Sequence, residues 1–276
     1  MPRLTIAQLE SIRSDLTDRD KRILLFMRNL HYMKTDQVRR VFYPLEEGKT
    51  PLSRTVSASK NLNRLKGLGL ISHLEKRAGG IKSGAKGLIW HITEAGARLL
   101  YLGTDMQNAR KRQLEPSPTF LRHTIAVTET FVQIVEICRD DPVMKLSRIE
   151  VEPDCWRDYQ KSGKSISLRP DLYVKTTTGE YFDHIFIEVD LDTESPTAIV
   201  EKCRRYLEYY QTGKEQKAYG AFPLVLWIAP DVKRKERMKD AITHSFPSRF
   251  PHIFSVIVPA ELESVLRDGV EKENLC

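Results

Sequence analysis

Apolar positions in the first hundred residues recur mainly at spacings of three and four, the repeat of one helix face. Ile23, Leu24, Phe26, Met27 and Leu30 follow this rule behind Thr17, a helix N-cap with Asp18 and Asp20 in the first turn. The pattern predicts a helix ending near residues 31–33. Thr35 reads as a second cap and opens a short helix over 36–42, with Val38, Val41 and Phe42 inward and Pro44 closing it. A third helix over 52–66 carries Ala58, Leu62 and Leu65 on one side and ends at Gly67. The period then changes. Strands over 71–74 and 88–92 enclose residues 76–87, a Gly-rich basic run without an acid, and a last helix is opened by Thr93 and covers 97–102.

Residues 103–119 show no apolar period, contain Pro116 and Pro118, and read as a connection. Beyond them, Ile125, Val127, Phe131, Ile134, Val135 and Cys138 mark a strong helix over 120–138. Strands follow over 147–151, 172–175 and 181–189. Residues 155–159 read as a short extension, 161–164 as a turn and 177–180 as a hairpin turn. Ser195 and Pro196 form an N-cap and first-turn pair, starting a helix that runs to about 210 with Ile199, Cys203, Tyr206 and Tyr210 inward. The near-continuous apolar run 222–229 fits a central strand buried on both faces. A very basic helix over 233–243, a strand over 252–258 and a helix over 260–266 complete the chain. The predicted order is helix, three strands, helix, strand, helix, strand, helix, an α/β domain with a mixed sheet flanked by helices.

A chain of 276 residues suits about two domains. The pattern places them at 1–112 and 120–276, with 113–119 as linker. Charge separates them too. Residues 1–112 carry 22 Lys and Arg against 10 Asp and Glu, a net +12; residues 113–276 carry 22 against 27, a net −5. A basic first domain points to a nucleic acid as partner. Its expected contacts are Ser57, Lys60, Asn61 and Arg64 along the third helix, and Lys76, Arg77, Lys82 and Lys86 between the strands, gripping phosphates. Four scattered Cys without a CxxC pair argue against a disulfide framework or a zinc site. No apolar run approaches the ~20 residues of a membrane span. The charged start MPRLTIAQLESIRSD does not suit a signal peptide, so a cytoplasmic location is expected.

The chemistry-bearing stretch is 168–210. Glu188 and Asp190 are two apart on a strand and share a face, while Val189 points the other way. Asp171 opens the preceding strand and Lys202 follows on the next helix. Acids converging from neighbouring strands suit Mg²⁺ or Mn²⁺, and a Lys beside them suits a phosphate's developing charge. Asp171 and Glu188 would bind the ion, Asp190 would complete the shell, and Lys202 would orient the nucleophile or steady the phosphate. The alternative is structural, with the acids as strand-end caps or partners of Arg169, Lys202 and Arg205. A further enzyme reading is a relaxase that nicks DNA with a Tyr (Tyr206, Tyr209 or Tyr210), and relaxases of the familiar kind also need a cluster of metal-binding His. The seven His form no HxH pattern, and Tyr206 and Tyr210 read better as core.

Helices followed by a two-stranded hairpin, with the strings NLNRLKGLGLI and GLIWHITEAG, resemble bacterial winged helix-turn-helix domains. The later element order, with Pro170–Asp171 and Glu188–Val189–Asp190, resembles the PD-(D/E)XK nuclease fold; Glu129 stands as a further candidate acid. That pattern usually has Lys two residues after the Glu. Here Asp190 occupies the position, and Lys202 would substitute. Over nearly the whole chain, LRHTIAVTETF at 121–131, LRPDLYV at 168–174 and FIEVDLDTESPTAIVEKCRRY at 186–206 resemble the replication-relaxation family of plasmids and integrative elements. The resemblance implies a DNA-binding role in replication, relaxation or mobilisation, alongside other mobile-element proteins. Two readings stay open. One is a metal-dependent DNA nicking enzyme. The other is a non-catalytic initiator or transcriptional regulator whose degenerate nuclease fold serves homodimerisation or DNA contact.

Overall fold

A computed structural model describes residues 4–45, 50–74, 88–104, 116–246 and 252–276. The chain divides into two compact units, Met1–Val132 and Gln133–Cys276.

The first unit begins with α1 (Ile6–Asp15), which the apolar pattern does not announce. Only Leu9 is buried on it, and its start is set by a capping box in which Thr5 and Gln8 bond each other's backbone amides. In α2 (Asp18–Leu30) Thr17 and Asp20 form the same reciprocal box, and Ile23, Leu24, Met27 and Leu30 face inward as expected. The next cap differs from expectation. Lys34 rather than Thr35 precedes α3 (Thr35–Phe42), because the Gln37 side chain accepts the Lys34 amide. Thr35 instead accepts a hydrogen bond from the Trp90 indole at 2.9 Å. α4 (Pro51–Gly67) is capped by Thr50 and buries Ala58, Leu62 and Leu65 completely, which is worth about 1.5–3 kcal/mol for each Leu.

Strands β1 (Met33–Lys34), β3 (Ile89–Ile92) and β2 (Ile71–His73) pair antiparallel in that spatial order. The helices α2, α3 and α4 and the antiparallel β2–β3 pair follow one another in the predicted order. α5 (Glu94–Leu100) follows, capped by Thr93. A Cβ on Gly96 would lie 2.1 Å from the Leu70 carbonyl oxygen, so only glycine lets α5 approach that backbone.

The long helix α6 (Pro118–Asp140) replaces the expected start at residue 120, and the division between units falls inside it. Its first half belongs with the first unit for a visible reason: Thr128 donates to the Tyr32 carbonyl, and Gln37 donates to the Ile125 carbonyl and to Glu129. Helical periodicity cannot show where along a helix its packing partners change.

The second unit is a mixed α/β domain. Its five-stranded sheet has the order β10 (Phe254–Ile257), β9 (Leu224–Ile228), β8 (Tyr181–Val189), β7 (Leu172–Thr178), β4 (Met144–Val151). β4, β7 and β8 run antiparallel, and β8, β9 and β10 parallel. A separate hairpin, β5 (Arg157–Lys161) with β6 (Lys164–Leu168), replaces the single extension read at 155–159. Helices α7 (Pro196–Tyr210), α8 (Lys214–Tyr219), α9 (Val232–Ser245) and α10 (Leu262–Asp268) fill the connections. The core joins Phe186, Tyr173, Trp227 and Val225 from the sheet to Ile199, Cys203 and Tyr206 of α7 and Met238 and Ile242 of α9. On α7 it is Tyr209, not Tyr210, that is buried.

This topology makes one end of the sheet chemically dense. The start of β7 lies against the end of β8, because the two strands are antiparallel and Leu172 pairs with Ile187. β9 ends at the same edge, because it is parallel to β8. α7 and α9 follow those two strand ends, the usual location of ligand sites in open α/β sheets.

Candidate active site

One residue before the Leu172–Ile187 pair stands Asp171, and one residue after it stands Glu188. Asp171 is buried at the start of β7, and its Oδ2 accepts the Val189 amide at 2.7 Å. Glu188 is fully enclosed and sits opposite Trp227 across the parallel ladder. Two groups on α7 reach it. Lys202 Nζ donates to Oε2 at 2.5 Å, and the Tyr206 hydroxyl donates to Oε1 at 2.5 Å. Their four-residue spacing stacks them on one helix face. The Lys202 ammonium also lies 5.5 Å from the Trp227 ring centroid, within cation–π range.

Burial pushes the Glu188 carboxyl up to about 8; Lys202 opposes this and the neighbouring Asp171 charge adds to it. Burial by itself would depress the Lys202 ammonium, but the carboxylates of Glu188 and Asp171 outweigh it and hold the amine protonated above its ordinary range. Asp171, Glu188, Lys202 and Tyr206 are therefore one electrostatic group. Tyr206, read from sequence as core, is fully buried and is also a hydrogen-bond partner of the central acid. Its i+4 offset from Lys202 was the available signal.

Asp190 does not join this group. Arg234 of α9 grips it with two bonds, Nε to Oδ2 at 2.7 Å and Nη2 to Oδ1 at 3.0 Å, and both side chains are buried. Asp190 Oδ2 also accepts the Asp192 amide at 2.9 Å. Arg234 extends to the Glu194 carbonyl at 2.7 Å. The expected three-carboxylate shell of Asp171, Glu188 and Asp190 is thus corrected to a pair: the third acid is committed to a guanidinium from a helix that begins just beyond β9. Among the described residues, no group of three or more His, Cys, Asp or Glu could hold a metal ion. A pair still suits Mg²⁺, which is commonly bound through one or two carboxylates together with substrate phosphates. Two adjacent buried carboxylates also favour a cation on electrostatic grounds.

The very basic helix expected over 233–243 is partly a core element. Arg234 serves Asp190, and the buried Lys235 pairs with Glu261 at 2.7 Å. Glu129 is bound by Arg40 and Gln37 inside the first unit. Tyr209 is buried and donates to Glu215 at 2.7 Å, which, with the burial of Tyr206, removes both from consideration as exposed nucleophiles.

Ser57, Lys60 and Arg64 of α4 are exposed, whereas Asn61 is half-buried. Asn61 donates to Asp20 Oδ1 at 2.9 Å and Arg64 pairs with Asp20 Oδ2 at 2.6 Å. Burial would raise the nearly inaccessible Asp20 carboxyl, but bonds from Thr17, Asn61 and Arg64 bring it below its ordinary value. Two of the four expected helix contacts thus tie α4 to α2. Lys76, Arg77, Lys82 and Lys86 lie outside the described residues.

No helix among the described residues is long and apolar enough to cross a membrane. No curated protein matches the chain. Among solved structures, the restriction endonuclease FokI matches 98% of this chain and 45% of its own at 10% identity and a TM-score of 0.30. Restriction endonuclease FokI bound to DNA matches 99% of this chain and 48% of its own, at 10% identity and a TM-score of 0.27. The chain thus spans less than half the length of either. The family model described as Replication-relaxation matches residues 24–225, most of the first unit and the second through the start of β9. The chain belongs to the replication-relaxation family.

Proposed function

We propose that this protein binds double-stranded DNA of a plasmid or integrative element and nicks it in replication, relaxation or mobilisation, using Asp171, Glu188 and Lys202. The observation that carries the reading is the placement of two buried carboxylates on adjacent strand ends with a protonated Lys against one of them. Asp171 and Glu188 would hold Mg²⁺ or Mn²⁺, which when bound supplies Lewis-acid polarisation of the scissile phosphate. Lys202 places positive charge where negative charge develops on the phosphoryl oxygens. Tyr206 holds the Glu188 carboxylate in one orientation, and the Val189 amide does the same for Asp171. Arg234 engages both Asp190 oxygens and fixes the end of β8, so Asp190 would stand outside that ion's shell.

The second reading is a non-catalytic DNA-binding initiator or regulator. It is favoured by the capping of both Glu188 oxygens and by the commitment of Asp190 to Arg234. Incubation of supercoiled plasmid with the full chain and Mg²⁺ or Mn²⁺ separates the two. Nicking by the wild type that vanishes in Asp171→Ala and Glu188→Ala, with DNA retention unchanged, supports the enzyme. Retention without nicking under either cation selects the regulator.

A further inference from the structure

The exposed surface of α4 is rotated away from the stripe on which Asn61 and Arg64 lie. With about 100° per residue, the side opposite the buried Ala58, Leu62 and Leu65 carries Val56, Lys60 and Asn63, at i, i+4 and i+7, with Leu52 one turn earlier. Lys60 and Asn63 are exposed. Leu52 is 73% and Val56 45% exposed, two apolar side chains held in solvent on a helix whose core face is already filled. Asn61 and Arg64 lie on the flank and are drawn to Asp20 of α2.

We infer that Leu52, Val56, Lys60 and Asn63 form the base-reading stripe of this helix, with Leu52 and Val56 packing on thymine methyl groups in the major groove; this rests on the double-stranded-DNA reading above. Three observations choose the occupant. The domain that carries the stripe is strongly cationic, with 22 Lys and Arg against 10 Asp and Glu over 1–112, which suits a polyanion. Leu52 and Val56 stand in the first half of the helix, the part of a helix-turn-helix recognition helix that meets base edges. The stripe also mixes the side-chain types that the major groove distinguishes. Apolar groups meet the thymine methyl, a side-chain amide pairs with adenine N6 and N7, and an ammonium meets guanine or phosphate.

The test uses the full chain to select duplexes from a random-sequence library. The best duplex is then compared with a copy in which deoxyuridine replaces thymidine, removing only the methyls. The wild type is expected to lose about fourfold in affinity per contacted methyl, the change corresponding to about 0.8 kcal/mol. Leu52→Ala and Val56→Ala should bind the thymidine duplex more weakly and discriminate less between the two. Asn63→Ala should relax the selected sequence at one position. All three sites are solvent-exposed, so the variants should fold, which circular dichroism checks. Equal wild-type affinity for the two duplexes overturns the inference. So does discrimination that survives undiminished in both variants, since it then comes from DNA shape. A Leu52→Ser/Val56→Ser double variant that selects the same sequences with the same affinity overturns it too and assigns the apolar face to a protein partner. Failure to retain any duplex at low salt overturns the DNA-binding reading itself.

Discussion

Arg234→Met tests the separation of Asp190 from the other two acids. The substitution keeps most of the Arg side chain's length and removes its charge. It deletes both bonds to Asp190, at 2.7 and 3.0 Å, and the bond to the Glu194 carbonyl at 2.7 Å. Asp190 retains the Asp192 amide but no longer has its cation, and its side chain has no exposed surface through which water could replace it. Removing one partner of a buried pair costs about 3–5 kcal/mol, because the other charge is left uncompensated. For a domain of about 150 residues that corresponds to a fall in Tm on the order of 10 °C. Urea unfolding of the full chain, followed by tryptophan fluorescence, reports it through Trp156 and Trp227 in the second unit. The double variant Asp190→Asn/Arg234→Met should recover most of the loss, because no buried charge remains to be paired; Asp192, which also meets Arg234 at 3.1 Å, is half-exposed and keeps Arg237. An Arg234→Met variant within about 1 kcal/mol of the wild type, the range of an average substitution, would refute the ion-pair account. A wild type stabilised by Mg²⁺, with the effect lost in Asp190→Asn, would return Asp190 to the metal shell.

Glu188 gives a pH test. Its folded value, about 8, lies above the ordinary 4.5, so the native state holds one more proton between those limits than the unfolded chain. Stability from this group therefore falls as pH rises from about 4.5 to 8, and the fall should be shallower in Glu188→Gln; parallel slopes by urea titration would contradict it. In the first unit, Arg64→Ala should cost about 1–3 kcal/mol by leaving the buried Asp20 with one partner fewer, while leaving the salt dependence of DNA binding unchanged. Lys60→Ala should do the reverse, with stability intact and the salt slope reduced by about 0.9; matched effects in the two variants would argue against the division of labour on α4. Gly96→Ala places a methyl 2.1 Å from the Leu70 carbonyl oxygen, so thermal unfolding of the first unit should drop sharply, and a wild-type Tm would show that α5 can slide away.

The fold was readable where local chemistry and burial agree. Thr17, Ser195 and the apolar stripe Ala58–Leu62–Leu65 mark their helices because cap and core face occur together. The helix α1 is different. Its capping box is plain, but one buried leucine leaves almost no amphipathic pattern, and its stability comes from tertiary contacts such as the bond from Arg13 to the Leu102 carbonyl. The β5–β6 hairpin was partly missed for a related reason. Its strands are mostly exposed and polar, with Tyr159 and Leu168 as their buried residues, so the period-two alternation that announces a strand is weak. The change of packing partner within α6 leaves no local mark at all.

The site was readable to the extent that strand geometry alone decides it. A period of two puts Glu188 and Asp190 on one face, and antiparallel pairing brings Asp171 beside Glu188; both inferences need only neighbouring residues. What same-face placement cannot supply is the partner each acid meets. Glu188 lies one residue inside the end of β8 and is covered by α7, so Lys202 and Tyr206 reach it. Asp190 lies one residue past the strand and meets the first turn of α9, where Arg234 waits 44 positions later in the chain. The basic run KRKERMK advertises solvent or phosphate because most such runs are solvated, and no local pattern separates Arg234 and Lys235 from Lys233 and Arg237. The parallel register of β8 and β9 makes the difference for Arg234: it sets the start of α9 against the end of β8 and gives that cation a buried carboxylate to neutralise. The antiparallel register of β7 and β8 sets the Asp171 and Glu188 carboxyls side by side in a buried place, where a bound cation lets both ionise, and that is the strongest physical argument for a metal ion at this edge of the sheet.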